Sequence, residues 1–266
     1  MKKLLITCLT LFMQLLCGSE ITTAEIIEER NELFILCTLS YLHVNAQNPI
    51  QVGYDIASIL AWDVEDIDHV PDFIIDCNRT FEKQGSIFHA EMMVIESALE
   101  HTQTNNSKDS PESHYNKVKK RLDKTTLYSS LEPCPYCIMG ISWAYVPKVI
   151  YFMEDPAIRD GDTYMPLIPF PKEYFFGRQL TTMMPSSLAY AKEINQDLRK
   201  IALQRPKHDY VFETKEGKKV VDLIHYFEEK KIFKTAYEQF LSYEVKFSQN
   251  QQLFKNLHDA LHCAVK

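Results

Sequence analysis

Two short stretches of this sequence carry residues that can bind a metal, attack a disulfide or move a proton. The first places His89 and Glu91 two positions apart, where a segment with the helical spacing of small and apolar residues begins. The second, E-P-C-P-Y-C over residues 132–137, places Cys134 and Cys137 three positions apart. Imidazole and thiolate are zinc ligands, and two nearby thiols can also form a redox pair, so both chemistries have to be weighed.

The cysteine pair lies at a predicted junction between a strand and a helix. Residues 125–130 (TTLYSS) have the composition of a strand, and residues 135–145 read as a short buried helix. The N-terminus of a helix offers backbone N–H groups and the positive end of the helix dipole, which lower the pKa of a nearby thiol. The thiolate that results can bind a metal or attack a disulfide.

Zinc is the favoured interpretation of the cysteine pair. Together with one distant histidine, Cys134 and Cys137 would supply three ligands and leave a fourth position for water, as in catalytic zinc sites. The alternative is an exported dithiol oxidoreductase, because C-P-Y-C after a strand resembles the dithiol of glutaredoxins. A redox dithiol needs no histidine and glutamate on another helix, whereas an open zinc site needs a further ligand and a proton shuttle. His89 and Glu91 fit those two roles.

The order of these motifs carries a family resemblance. H-x-E followed by P-C-x-x-C is the signature of zinc-dependent nucleobase deaminases. Over roughly residues 25 to 165 the sequence resembles the cytidine/deoxycytidylate deaminase superfamily, and within it the branch of guanine deaminases and tRNA adenosine deaminases. Further matches to this branch are Asn78-Arg79, the run E-P-C-P-Y-C, Gly140, Trp143-Ala144 and Pro147-Lys148.

The resemblance implies an activity and a cofactor. One zinc ion per chain would be held by His89, Cys134 and Cys137, and a zinc-bound hydroxide would attack the amine-bearing ring carbon of a nucleobase or nucleoside. Glu91 would shuttle the proton. A purine related to guanine is the favoured substrate, with cytosine or cytidine and tRNA adenosine as alternatives. Relatives are often dimers, which leaves a homodimer open by analogy.

The resemblance also implies groups that hold the substrate. Asn78 and the backbone N–H of Ala90 would bind the polar edge of the base. Guanine deaminases use a further carboxylate after the strand that follows the zinc helix, and Asp160 or Asp162 could take that place. The aromatic candidates for a pocket wall are Trp143, Tyr164, Phe170 and Tyr174. Packing in the core is the favoured interpretation of each of these aromatic residues.

The charge of the chain bears on its partner. The formal net charge is −7, and removal of Lys2 and Lys3 with a leader would take it to −9. Non-specific binding of nucleic acid rests on Lys and Arg contacts to phosphate, so an acidic chain has little attraction for it. The basic run at 117–124 (KVKKRLDK) is an exception, for which a solvated helix face is the favoured interpretation. The charge therefore favours a small-molecule base or nucleoside over a nucleic acid.

The sequence divides into three regions. Residues 1–19 have the basic start, short apolar run and small-residue exit of a signal peptide. This pattern predicts an exported protein, periplasmic or secreted. A membrane-anchoring or buried helix is the alternative. Residues 24–180 are predicted to form the zinc deaminase domain, with 101–124 as an exposed polar insertion, and 181–266 a C-terminal helical region. Five cysteines outside the leader, an odd number in a long chain, do not indicate a disulfide scaffold.

The predicted elements favour the α/β class. Strands are predicted over 50–60, 72–77, 125–130 and 148–152, and helices over 24–47, 89–100 and 135–145. Such an order predicts a three-layer α/β/α domain with a central mixed sheet and helices on both faces. The resemblance makes this domain cytidine-deaminase-like, and the amphipathic pattern after about residue 186 adds a C-terminal helical extension.

Overall fold

The computed structural model describes residues 21–45, 56–79, 88–103, 120–154, 159–160, 163–164, 182–188, 191–196 and 231–263. The helices are α1 (Thr23–Asn45), α2 (Ala90–Gln103), α3 (Pro135–Trp143), α4 (Ile232–Leu241) and α5 (Gln251–Cys263). The strands are β1 (Ala57–Trp62), β2 (Phe73–Cys77), β3 (Thr125–Leu131), β4 (Lys148–Met153), β5 (Arg159–Asp160), β6 (Thr163–Tyr164) and β7 (Thr182–Pro185). Residues 120–122 and 191–196 are also helical, and Ser248–Asn250 form a 3₁₀ turn.

A five-stranded mixed sheet in the order β2-β1-β3-β4-β7 forms the centre of the fold. β1 runs antiparallel to β2 and β3, whereas β3, β4 and β7 run parallel to one another. Parallel neighbours need a crossover connection, and α3 supplies it between β3 and β4. β5 and β6 pair in a separate two-stranded sheet. The predicted mixed sheet is therefore confirmed.

Alternating side chains of the central strands build two cores, one on each face of the sheet. In β1, Ile59 and Ala61 join the core formed with α1, α4 and α5. Leu60 and Trp62 join the core formed with α2 and α3. A strand covered on both faces has to be apolar or small at every position, and β1 is buried at all six of its positions. Helices on both faces confirm the predicted three-layer α/β/α arrangement.

A capping box begins α1. The backbone N–H of Glu25 donates to the Thr22 hydroxyl at 3.3 Å, and the Glu25 carboxylate accepts the backbone N–H of Thr22 at 2.9 Å. These reciprocal bonds satisfy N–H groups that would have no partner within the helix. The helix predicted over 24–47 is confirmed as far as Asn45, and residues 46–47 lie outside the described residues.

The C-terminal helices pack on the α/β core. Leu253, Leu257 and Leu261 of α5 lie in the same core as α1, which confirms the predicted helical extension. The predicted helical region at 181–266 is, however, wrong at its start, because Thr182–Pro185 form β7 against β4. The outer edge of β4 presents backbone N–H and C=O groups that a further strand satisfies. That tertiary requirement outweighs the local sequence pattern.

The exposed insertion predicted over 101–124 is corrected at both ends. α2 extends to Gln103, three residues beyond its predicted end, since neither proline nor glycine interrupts the helix there. Near the other end, Leu122 is 1% exposed and lies in the core between the sheet and α2. Residues 104–119 lie outside the described residues.

The basic run at 117–124 is described from Lys120 onward. Lys120, Arg121 and Lys124 are exposed. Lys124 Nζ lies 3.6 Å from a carboxylate oxygen of Asp63, and the Arg121 guanidinium lies 5.4 Å from the centre of the Trp62 ring. These contacts favour the interpretation of the run as a solvated face.

A buried polar network joins α1, the loop after β1 and the start of α5. Arg30, fully buried, donates from its Nε to Asn250 Oδ1 at 2.8 Å. Asn250 Nδ2 donates in turn to the Glu29 carboxylate at 2.8 Å. The Arg30 guanidinium also donates to the backbone carbonyls of Val64, Asp66, Ile67 and His69. The buried guanidinium of Arg30 and the carboxylate of Glu29 thus both have hydrogen-bond partners, which come from three parts of the chain.

Among the described residues, no helix combines the length and apolarity needed to cross a membrane. The predicted signal peptide at 1–19 lies outside the described residues and stays a prediction.

Candidate metal centre

α2 and α3 pack closely on one face of the sheet. A Cβ placed at Gly140 of α3 would lie 2.5 Å from Met92 Sδ of α2, far inside ordinary contact distance. The missing side chain at Gly140 therefore leaves the space that Met92 occupies, and the two helices approach closely at this point. This packing holds together the first turns of both helices, where the predicted site residues lie.

Local backbone structure fixes the direction of the ligands. The His89 carbonyl accepts the backbone N–H groups of Met92 and Met93, both at 3.0 Å, so His89 stands at the start of α2. Cys134 is the N-cap of α3 in an extended conformation (φ −65°, ψ 164°), and Pro135 follows as the first helical residue. Proline suits that position because its φ is already helical and its missing N–H would have had no partner within the helix.

Three potential ligand atoms from these two helix starts lie together. His89 Nδ1 is 3.5 Å from Cys134 Sγ and 3.2 Å from Cys137 Sγ, and the two sulfur atoms are 3.5 Å apart. Around a tetrahedral zinc ion with the usual Zn–S and Zn–N lengths, such separations would be about 3.6–3.8 Å. The three residues therefore form a group that fits zinc after a small adjustment.

The two thiols have opposite pKa shifts. The hydrogen bond between the two sulfur atoms, reinforced by His89, lowers the pKa of the Cys134 thiol to about 4. The same bond, together with burial, raises the pKa of Cys137. The lowered pKa favours the thiolate form of Cys134, the form in which cysteine binds a metal.

Glu91 lies beside the three ligand atoms. Its side chain is 2% exposed, and its Oε2 atom is 3.6 Å from Cys137 Sγ. Burial raises the pKa of this carboxyl group to about 7. A carboxyl group with a pKa near neutrality can both accept and release a proton, which is the property that a proton shuttle needs.

Asn78 and Ala90 lie near the start of α2. Asn78 directly follows β2 and is 2% exposed. The backbone N–H of Arg79 donates to the carbonyl of Phe88 at 2.9 Å, which fixes this segment next to the residue that precedes His89. Ala90 is fully buried and begins α2, where backbone N–H groups have no partner within the helix.

Of the remaining predicted substrate residues and aromatic candidates, the structure describes Trp143, Asp160 and Tyr164. Trp143 ends α3 with 61% of its side chain exposed, six residues or about 9 Å along the helix axis from Cys137. The core-packing interpretation is therefore wrong for Trp143. Asp160 lies in β5 and Tyr164 in β6. Asp162, Phe170 and Tyr174 lie outside the described residues.

One neighbour of the centre, Tyr136, was not predicted as a site residue. Its ring centroid is 6.3 Å from that of His89, with the two planes at 73°, and its side chain is 47% exposed. An exposed aromatic surface thus adjoins the ligand group. The signal in the sequence is the aromatic residue between the two cysteines of C-P-Y-C.

Comparison with protein families identifies this segment. Residues 68–153 match the family described as the cytidine and deoxycytidylate deaminase zinc-binding region. These residues contain His89, Glu91, Cys134 and Cys137. A tRNA-specific adenosine deaminase of Bacillus subtilis (strain 168) is 35% identical to the chain over 86 residues, which are 32% of this chain and 44% of that relative. The matched region thus spans less than half the length of the relative.

Solved structures of deaminases are also similar. A tRNA:A34 deaminase structure has a TM-score of 0.39 and 21% identity, covering 59% of this chain and 98% of that chain. The guanine deaminase of Nitrosomonas europaea has a TM-score of 0.39 and 14% identity, covering 65% of this chain and 84% of that chain. With TM-scores below 0.5, these likenesses do not decide the activity. The family match confirms the predicted superfamily for residues 68–153.

Proposed function

We propose that this chain is a zinc-dependent hydrolytic deaminase. Its residues 68–153 match the family described as the cytidine and deoxycytidylate deaminase zinc-binding region. The proposed reaction replaces the exocyclic amine of a nucleobase or nucleoside by oxygen from water and releases ammonia. A small purine related to guanine is the proposed substrate. The observation that carries the proposal is the convergence of a buried carboxyl group, Glu91, with three zinc-type ligands.

The chain's own groups divide the work of this reaction. His89, Cys134 and Cys137 would hold zinc, which supplies the Lewis acidity that makes water a nucleophile near neutral pH. Glu91 would accept one proton from the attacking water and deliver it to the ring nitrogen. It would then pass the second proton, from the hydroxyl that the attack leaves on the ring carbon, to the leaving amine. The buried position of Glu91 keeps bulk water from competing for that proton.

Recognition of the base is assigned to groups near the start of α2. The side-chain amide of Asn78 offers both donors and an acceptor, so it complements the mixed polar edge of a purine. The backbone N–H of Ala90 adds a donor from the helix N-terminus. The exposed ring of Tyr136, next to His89, is proposed to stack on the face of the base.

Two other substrates are alternatives within the same chemistry. The match to a tRNA-specific adenosine deaminase favours an adenosine in tRNA. The formal net charge of −7 opposes it, since a polynucleotide partner requires basic contacts to phosphate. Cytosine or cytidine is the remaining alternative, and the name of the matched family includes cytidine deaminases.

An exported dithiol oxidoreductase is the alternative from a different class. The lowered pKa of Cys134 would also suit a thiol that attacks disulfides. This alternative gives no role to Glu91 or to the contacts of His89 with both sulfur atoms. It predicts that the cysteines matter for activity while His89 and Glu91 do not.

The test is ammonia release by the zinc-loaded protein from guanine, adenine, cytosine, their nucleosides and a tRNA. We expect release from guanine or a related purine. Cys134→Ser should abolish it, whereas Cys77→Ser, a cysteine of β2 outside the ligand group, should leave it unchanged. Release from cytidine or tRNA would contradict the purine assignment. Disulfide reduction without any ammonia release would contradict the deaminase itself.

We also propose that residues 1–19 direct export and are then removed. The basic start and short apolar run support this. N-terminal sequencing of the protein recovered from the cells that make it is the test. A mature N-terminus near residue 20 in the exported fraction would support export, whereas an intact leader on protein retained in the cytoplasm would exclude it.

A further inference from the structure

Two histidines converge on the outer side of α5, on the opposite face of the sheet from the metal centre. The buried side of α5 is formed by Leu253, Leu257 and Leu261, which pack in the core shared with α1. His258 and His262 are one helical turn apart, and the ring centroid of His258 lies 6.4 Å from that of Phe254. His262 is exposed, and His258 is partly exposed. Solvent can therefore reach both imidazoles.

The separation of the two imidazoles fits a single metal ion. The two Nε2 atoms are 3.3 Å apart, and the ring centroids are 4.4 Å apart with the planes at 65°. A metal at the usual Zn–N length from both atoms would subtend an angle of about 107° between them, close to the tetrahedral value. The distance between the two Nε2 atoms therefore suits a bidentate ligand once the rings turn slightly toward a shared metal.

The position on the helix favours a positive ion. His262 lies in the last turn of α5, which ends at Cys263. The C-terminal end of a helix carries the negative end of the helix dipole, so a cation is favoured there. Asp259, exposed and next to His258 in sequence, adds a negative charge on the same part of the helix. The ligand geometry and the local field therefore point to the same kind of ligand.

We propose that His258 and His262 form a second metal site, a surface chelate for a divalent cation with tetrahedral preference, Zn²⁺ or Co²⁺. Among the described residues, the group of three potential metal ligands is the one formed by His89, Cys134 and Cys137. The α5 site therefore holds its metal with two protein ligands. Its other positions stay open to water or to a donor from another molecule, so its metal exchanges readily.

The test is calorimetric titration of Zn²⁺ into protein whose His89 centre already holds zinc. We expect one further equivalent of zinc per chain. His258→Gln and His262→Gln should each weaken its binding by about tenfold or more, since a single imidazole cannot chelate. His69→Gln, which removes an exposed histidine from the loop after β1, should have no effect.

A second readout separates the two sites. Co²⁺ bound at α5 should lack the thiolate charge-transfer absorption that a cysteine site shows, because its protein ligands are nitrogen atoms only. The histidine variants should keep full deaminase activity, since they lie outside the proposed catalytic centre. Absence of a further equivalent would overturn the proposal, as would uptake unaffected by both variants. Either result would mean that the 3.3 Å contact is only a hydrogen bond between the two imidazoles.

Discussion

At the metal centre, Cys134 and Cys137 share a hydrogen bond that shifts their pKa values in opposite directions. Zinc bound by both sulfurs would displace the shared proton, because zinc-bound cysteine is a thiolate. His89, within 3.5 Å of both sulfur atoms, completes the ligand set. The centre therefore differs from a simple dithiol in having a third donor already in place.

Removing one of these donors should release the metal. We expect Cys134→Ala to weaken zinc binding by more than about 100-fold, beyond the 10–100-fold effect of losing an outer-shell partner. Cys77→Ala, which removes another free cysteine, should leave zinc binding unchanged. Zinc content measured by mass spectrometry after dialysis against a chelator checks this. Equal zinc content in both variants would exclude Cys134 as a ligand.

The residues of the centre could be predicted because their chemistry restricts the choice. Histidine nitrogen and cysteine sulfur are frequent zinc ligands, so His89, Cys134 and Cys137 in the pattern H-x-E followed by P-C-x-x-C stand out from the rest of the sequence. Glu91 was predictable for the same reason, as the group able to move a proton. Tyr136 was not, because an aromatic side chain serves equally well in a core, a redox motif or a pocket.

At the scale of the elements, the end of α3 contains a strained residue. Tyr145 has φ 65°, in the left-handed region. Its N–H donates to the Ser142 carbonyl at 3.1 Å, and the N–H of Val146 donates to the Ile141 carbonyl at 3.2 Å. These two bonds form a Schellman motif, in which glycine is the usual residue at the position of Tyr145. The strain is tolerated where the chain turns from α3 into β4.

Glycine should relieve that strain. We compare Tyr145→Gly with Tyr145→Ala, since both remove the aromatic side chain and only glycine adopts positive φ freely. The glycine variant should be more stable than the alanine variant by about 1 kcal/mol. The free energies of unfolding in urea give the difference. An alanine variant as stable as the glycine variant would show that the left-handed conformation costs nothing here.

Elements were predictable where the local pattern and the tertiary environment agree. The apolar composition of β1 and the helical spacing in α2 both agree with the fold, because each places apolar residues in the two cores. β7 was missed because its four residues form a strand only against the free edge of β4. The capping box of Thr22 and Glu25 was a readable start signal for α1 that the prediction did not use.

At the scale of the molecule, Asn250 connects distant parts of the chain. It accepts a hydrogen bond from Arg30 and donates one to Glu29, so a single amide bridges two buried charges. The Glu29 carboxylate also accepts the backbone N–H groups of Lys246 and Phe247. The turn before α5 is thereby held on α1, which itself packs on the sheet.

Loss of that bridge should destabilise the whole fold. We expect Asn250→Ala to lower the free energy of unfolding by about 2–4 kcal/mol, because it leaves buried charged groups without one of their partners. Gln249→Ala, at the adjacent exposed position, should change it by less than about 0.5 kcal/mol. Urea denaturation of both variants provides the measurement. If Asn250→Ala were as stable as Gln249→Ala, water would have replaced the side-chain amide of Asn250.

The network could not be predicted from the sequence. Arg30 and Asn250 are 220 positions apart, and nothing in the local pattern around either residue indicates the other. The sequence would also predict an exposed arginine at position 30, since charged residues are rarely buried without partners. The sequence predicts the layers through local periodicity, whereas the contacts that join the C-terminal helices to α1 depend on the assembled fold.

The central claim is that Glu91 moves protons beside a metal held by His89, Cys134 and Cys137. The variant Glu91→Gln tests it most directly. The variant keeps the shape of the side chain but cannot transfer a proton. We predict that ammonia release falls by about 10²-fold or more, with zinc content unchanged. Ammonia release within a few-fold of the unmodified protein, at equal zinc content, would contradict the claim.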